Sequence, residues 1–189
     1  GGGICICGTG VCAITDSVVA ENMVANNGLG GGICGILAVG AGVIDNTIIA
    51  SNIATAHGGG MYWHGAGDLA LGNGTQLLHN QARLGAGGGA YVEICGTVAL
   101  RNMALAGNQS GLSGGGVHVQ TGRVTCSACV FDDNRASSMP TNAMAAISSG
   151  GGGIAVMPGA ALNAMNCVWR HNSVSNDYGS GGAVFGYGA

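Results

Sequence analysis

The side chains of this chain that could do chemistry are eight cysteines, eight carboxylates and five histidines, spread over 189 residues. Cys5-Ile6-Cys7 and Cys126-Ser127-Ala128-Cys129 have the spacing of metal-ligand pairs. A structural zinc site wants four converging ligands, and neither pair has a second pair close by, so the sequence assigns no metal and no cofactor. The carboxylates are Asp16, Glu21, Asp45, Asp68, Glu93, Asp132, Asp133 and Asp177. Acid–base work on glycans, or Ca²⁺ binding, needs carboxylates in clusters. Asp132 and Asp133 are adjacent, so on a strand they point to opposite faces. There is no Lys, and no Arg is expected beside an acidic cluster. His79 and His171 recur at one motif position, whereas His57, His64 and His118 occupy unrelated ones. No catalytic set emerges, and the elements that would position these residues must be read first.

Composition narrows those elements. Charged residues are 7% of the chain, Gly supplies 40 residues and Pro only 2. Disordered chains combine low hydrophobicity with high net charge. Here 47% of residues are hydrophobic and the net charge is −3, which predicts order. Gly does not recur at every third position, which excludes collagen. The five Arg are scattered, so no basic patch for nucleic acid is present. No apolar run reaches the roughly 18 residues of a membrane span. The chain starts and stops within glycine-rich sequence, and the expectation is a fragment or mature piece of a longer protein.

The elements come from a repeat. Gly triplets begin at Gly1, Gly30, Gly58, Gly87, Gly114 and Gly151, at spacings of 29, 28, 29, 27 and 37, with a shortened version at Gly181-Gly182. Each is followed 20 to 22 residues later by Asn: Asn22, Asn52, Asn80, Asn108, Asn134 and Asn172. Three residues before each Asn stands a large apolar residue: Val19, Ile49, Leu77, Leu105, Phe131 and Trp169. After each triplet, apolar residues alternate with others, as in Ile33-Cys34-Gly35 and Met61-Tyr62-Trp63, the period of a strand with one buried face. A second strand lies about ten residues before the Asn, and a third ends at it.

Such a unit cannot bury its apolar face alone, but stacked copies can. The prediction is an all-β, right-handed, single-stranded parallel β-helix spanning 1–189. It should have about six coils of ~28 residues with three short strands each, about 4.8 Å per coil. The Gly triplets should form a corner that needs positive φ or close backbone approach. The recurrent Asn should stack amides into a ladder along the rod. Gly8-Thr9-Gly10 and Gly40-Ala41-Gly42 are only superficially phosphate-loop-like, because no helix pattern follows them. The stretch from Asn to the next triplet is 5 to 7 residues in four coils but about 15 after Asn134, so 135–149 is expected to leave the rod as a loop.

The register then sorts the remaining residues. Cys5 and Cys34 fall at one outward position of neighbouring coils, and Cys129 and Cys167 are likewise equivalent, five residues before their Asn in coils five and six. Stacked positions are close enough for disulfides, so Cys5–Cys34 and Cys129–Cys167 are candidate pairs, with Cys7–Cys12 across the Gly8–Gly10 corner as a third. Eight Cys also suit an oxidising compartment. Cys126 shares its position with Ile14, Ile44 and Leu100 and is expected as a buried thiol. Tyr62, Tyr91 and His118 stack on the outer face. Exposed aromatics can bind sugars or a partner, or simply stabilise the sheet as cross-strand pairs. Asn73-Gly74-Thr75 and Asn108-Gln109-Ser110 are glycosylation sequons. Asn108 belongs to the ladder, which leaves Asn73 as the candidate acceptor.

The paired motifs resemble the repeats of the chlamydial polymorphic outer-membrane protein family, which combine a Gly-Gly-Ala-Ile type motif with Phe-x-x-Asn. Phe131-Asp132-Asp133-Asn134 matches the second fully. Trp169-Arg170-His171-Asn172 and Leu77-Leu78-His79-Asn80 are variants, while Gly88-Gly89-Ala90-Tyr91 and Gly181-Gly182-Ala183-Val184 match the first. The resemblance implies a passenger β-helix displayed outside a cell, often adhesive. The expected function is therefore a non-catalytic structural or adhesive segment of an extracellular or cell-surface protein. Its partners would be other segments of a parent chain, neighbouring subunits stacked on uncapped ends, or glycans and a cell surface. The alternatives are a carbohydrate-active, pectin lyase-like β-helix and an end-to-end filament subunit.

Overall fold

The computed structural model of the protein describes residues 1–137, 150–175 and 181–186. The described residues hold strands and turns and no helix. The first coil contains β1 (Ile4–Thr9), β2 (Cys12–Thr15), β3 (Val18–Ala20) and β4 (Met23–Val24), and the second repeats them as β5 (Ile33–Val39), β6 (Gly42–Asp45), β7 (Ile48–Ala50) and β8 (Ile53–Ala54). In the fourth and fifth coils the first two strands fuse into β13 (Ala90–Arg101) and β16 (Val117–Ser127). Every pairing joins a strand to its equivalent in the next coil, in parallel. The result is a β-solenoid walled by one eleven-stranded sheet and two six-stranded sheets.

The repeat anchors fall in register. Val19, Ile49, Leu77, Leu105, Phe131 and Trp169 form one continuous inward column, and Phe131 and Trp169 stack with ring centroids 4.0 Å apart. Side chains of unequal size are fitted between coils. Trp63 is 2% exposed, and a Cβ on Gly35 or Gly42 in the coil before would lie 2.4 or 2.2 Å from its ring. Those two glycines leave the room that the indole fills, and burying such a ring contributes roughly 3 kcal/mol or less.

Each coil turns three corners through the left-handed region. The first is the leading Gly of the triplet, such as Gly58 (φ 68°). The second is Asp16, Asn46, Asn73, Asn102, Ala128 or Asn166, and the third is the residue before the ladder Asn: Glu21, Ser51, His79, Gly107, Asp133 or His171. Apart from Gly107, these last two corners carry side chains at positive φ, which costs about 1 kcal/mol or more per residue. The other two glycines of a triplet are required by space. A Cβ on Gly59 would lie 2.4 Å from the backbone of Gln81, and one on Gly60 would lie 2.9 Å from the Asn80 amide.

Two features differ from the sequence expectation. The strand before each Asn ends two residues early, and a two-residue strand such as β4 follows the Asn and builds the third wall. These strands are too short to show alternation, and their inward residues are small, as at Ala54, Ala82 and Ala136. Second, the insertion does not begin at residue 135. Arg135 and Ala136 form strand β18 (Arg135–Ala136), paired with Gln109-Ser110 on one side and Ser173-Val174 on the other. The remainder of the expected loop, 138–149, lies outside the described residues.

Candidate functional site

The six Asn side chains form one unbroken hydrogen-bonded column. In each rung the backbone N–H and the Nδ2 of one Asn both donate to Oδ1 of the next. Asn52 reaches Asn80 at 3.0 Å in both bonds, and Asn80 reaches Asn108 at 3.0 Å in both. The second Nδ2 proton goes to a strand carbonyl, as from Asn80 to Ile49 at 2.9 Å. Asn22 and Asn172 complete the column at its two ends. Asn52, Asn80, Asn108 and Asn134 are wholly buried. The amides are therefore structural. This also removes Asn108 as a glycan acceptor in the folded chain. Asn73 is exposed, but its Nδ2 donates to Asp45 (3.0 Å) and the hydroxyl of Thr75 is buried against the carbonyls of Gly72 and Ile44. That would place any glycan attachment before this corner folds.

No disulfide is present at the predicted pairs, and each departure has a physical reason. Cys5 and Cys34 are in register, but the Cys5 thiol turns along its own strand to Cys7, Sγ to Sγ 3.7 Å, while Cys34 is buried with Tyr62 and Ala86. Cys7 and Cys12 lie on opposite faces of the wall: Cys7 is exposed, and Cys12 packs against the core. Cys129 and Cys167 are stacked, yet both thiols donate to corner carbonyls, Cys129 to Ser127 (3.4 Å) and Cys167 to Met165 (3.3 Å). Ser17 and Thr47 hold the same position and donate to carbonyls of Thr15 and Asp45 at 2.6 and 2.8 Å. The thiols thus replace hydroxyls in a second polar column. Cys126 is a fully buried thiol at the position of Ile44 and Leu100, and burial pushes its pKa up.

The acids are paired more than the sequence suggested. Arg170 and His171 both reach Asp132, at 3.0 and 2.9 Å, and Arg135 meets Asp133 at 3.0 Å. The expectation that no Arg sits beside these acids is corrected: the stacking of two coils brings Arg170 over Asp132. His171 and then Arg170 hold the Asp132 carboxyl below its ordinary range. All three pairs lie at the surface, with only Asp132 half-buried, and carry little stabilisation.

The outer aromatic column forms as the register requires. Tyr62 and Tyr91 stack at 5.3 Å, and Tyr91 and His118 at 4.9 Å. It is not the exposed platform expected from sequence. Tyr62 is 9%, Tyr91 8% and His118 4% exposed, because Leu29, Ala86 and Leu112, in the segments returning to the next triplet, fold over it. What remains open is a cleft of about 380 Å³ at the end of the stack, reached by His57, Tyr91, Ser113, His118, Gln120 and Pro158. His118 Nδ1 is 2.8 Å from Ser113 Oγ, and Nε2 is 3.1 Å from Gln120 Oε1. Gln120 Oε1 also accepts from the Tyr91 hydroxyl (3.4 Å). This pattern assigns the proton to Nε2 and makes Ser113 the donor to Nδ1. Burial pulls the His118 pKa down to about 4. The geometry has the form of a nucleophile, a base and an orienting amide. However, Ser113 is 2% exposed, and the next three amides, Gly114 to Gly116, donate to Gly150, Gly151 and Gly152 of the following coil. Those amides cannot serve as an oxyanion hole.

A second, more open groove of about 660 Å³ crosses the coils along Cys7, Ile36, His64, Glu93 and Thr121, with His64 and Glu93 3.7 Å apart. Among the described residues no three His, Cys, Asp or Glu side chains converge on one point. Compared with protein-family models, curated proteins and solved structures, the chain matches none.

Proposed function

We propose that the chain is a non-catalytic structural or adhesive β-solenoid segment of an extracellular, cell-surface protein. The observation that carries this reading is the Asn column, which commits the most regular polar residues to holding coil on coil. Side chains with catalytic potential are spent likewise, with the corner thiols bonded to carbonyls and Ser113 and His118 bonded to each other. Contact with glycans or a cell surface would fall on the flank, at the cleft beside His57 and Gln120. A carbohydrate-active alternative is favoured by the His64–Glu93 pair in the open groove. That groove offers one carboxylate, whereas glycoside hydrolysis ordinarily uses two.

Two measurements test the proposal. An antibody to the chain should label intact, non-permeabilised source cells; labelling only after permeabilisation overturns the extracellular assignment. Incubation of the purified chain with pectin and other polysaccharides should release no new sugar ends. Release that disappears in Glu93→Gln would establish the enzyme instead.

A further inference from the structure

The first coil carries a feature that the repeat does not require. Cys5 and Cys7 stand two residues apart on β1 and so project from the same face. Both are exposed, and their sulfurs are 3.7 Å apart. In the next coils the equivalents of Cys7 are Ile36 and His64, and those of Cys5 are Cys34 and Tyr62. Nothing in the column chemistry calls for a thiol at either place, and neither sulfur donates to a corner carbonyl as Cys129 and Cys167 do. The Cys7 thiol is held above its ordinary pKa, first by its hydrogen bond with Cys5.

We propose that Cys5 and Cys7 form a two-coordinate site for a soft monovalent cation of the Cu(I) class. Soft thiolates select such ions over harder ones. The described residues supply no third or fourth converging ligand, which disfavours zinc, since zinc takes four. A digonal ion holds its two sulfurs about twice a metal–sulfur bond apart, roughly 4.6 Å if the bond is as long as the zinc–thiolate bond of about 2.3 Å. The sulfurs stand 3.7 Å apart, so holding such an ion asks them to separate by about 1 Å, a change of the order that χ1 rotation of two exposed side chains supplies. Binding is a ligand exchange without redox change: one Cu⁺ and two thiols give a bis-thiolate cuprous anion and two released protons.

The test is an anaerobic titration of the reduced full chain with Cu(I) against a chromophoric Cu(I) chelator. One ion should bind per chain, and Cys5→Ser or Cys7→Ser should each weaken binding by about 100-fold or more. The control Cys12→Ala/Cys167→Ala should stay within about threefold of the parent. Because two protons leave, the apparent affinity should rise about 100-fold per pH unit near neutrality. Circular dichroism should show the serine variants folded, as their side chains are outside the core. Equal affinity in the serine variants, a tenfold slope per pH unit indicating one thiol, or a Cys5–Cys7 disulfide that resists a phosphine reductant would each overturn the site.

Discussion

Two columns of stacked side chains follow the same register along this solenoid and obey different rules. The inner one is Asn at all six rungs, and from Asn52 to Asn134 each amide makes the same bonds as the last. The outer one reads Cys5, Cys34, Tyr62, Tyr91, His118 and Ala155. Its rungs share a direction and little else. At the inner corner a side chain must both donate and accept, and must satisfy a strand carbonyl, which calls for a carboxamide, and Asn supplies it at every rung. At the outer position the requirement is only to cover the sheet, so sequence there is free to vary and to acquire other roles. The cleft beside His118 and the Cys5–Cys7 pair both border this permissive column.

The largest effect should come from breaking the strict column. Asn80→Leu removes the acceptor used by the N–H and Nδ2 of Asn52 and the donor to Ile49. With the Nδ2 donation to Asn108 Oδ1 also gone, four buried polar groups lose a partner, which should cost about 3–5 kcal/mol in urea unfolding. On the permissive column, Tyr91→Phe loses one 3.4 Å bond to Gln120 and should cost less than about 1 kcal/mol. Equal losses at the two positions would erase the distinction.

The same contrast explains what the sequence disclosed. The coil period, the Asn column and the inward apolar column were legible because one residue type returns at a fixed interval. Cys34 against Cys5 and Tyr91 against Tyr62 were placed correctly by that register. What the register could not give was coverage and rotamer. Leu29, Ala86 and Leu112 lie in segments of unequal length outside the repeat anchors, so nothing signalled that they bury the aromatic stack. Sharing a rung brings Cys129 and Cys167 within disulfide reach, but the carbonyl two residues back competes for each thiol. The clue was present in Ser17 and Thr47, hydroxyl residues at the same position. The Ser113–His118–Gln120 chain had no sequence signature: the register places His118 on the outer column, but Ser113 and Gln120 belong to no repeated motif.

A middle-sized effect should appear on titration. His118 is 4% exposed, and its pKa lies at about 4 when folded against 6.5 for the free side chain. The unfolded chain therefore takes up the proton first. Stability is fully present above about pH 6.5 and falls as the pH drops toward 4, by up to about 3 kcal/mol, levelling off below that. Denaturant midpoints measured from pH 7.5 to 4 should show this slope, and His118→Phe should flatten it. His57, whose pKa is also lowered by burial, contributes a smaller slope of the same sign that stays in the variant. An unchanged profile in His118→Phe would mean that the buried imidazole is not the group being titrated.

The smallest effect tests a position that stands between the two columns. The corner occupied by Ser17, Thr47, Thr75, Met103, Cys129 and Cys167 tolerates several residue types, yet five of the six carry a donor aimed at a nearby carbonyl. If donation is what matters, Cys129→Ser should keep the bond to Ser127 in shorter form and change stability by less than about 1 kcal/mol. Cys129→Ala should lose about 1 kcal/mol more than that, the ordinary worth of one such bond. If instead the sulfur is there for its bulk against Leu100 and Phe131, the serine variant should fall as far as the alanine one. Met103 shows that bulk alone can be accommodated on this column, being 4% exposed in the core. The ranking of Cys129→Ser, Cys129→Ala and Cys129→Met in one set of urea curves therefore separates a hydrogen-bonding corner from a merely filled one, and places this column nearer to the Asn ladder or nearer to the outer face.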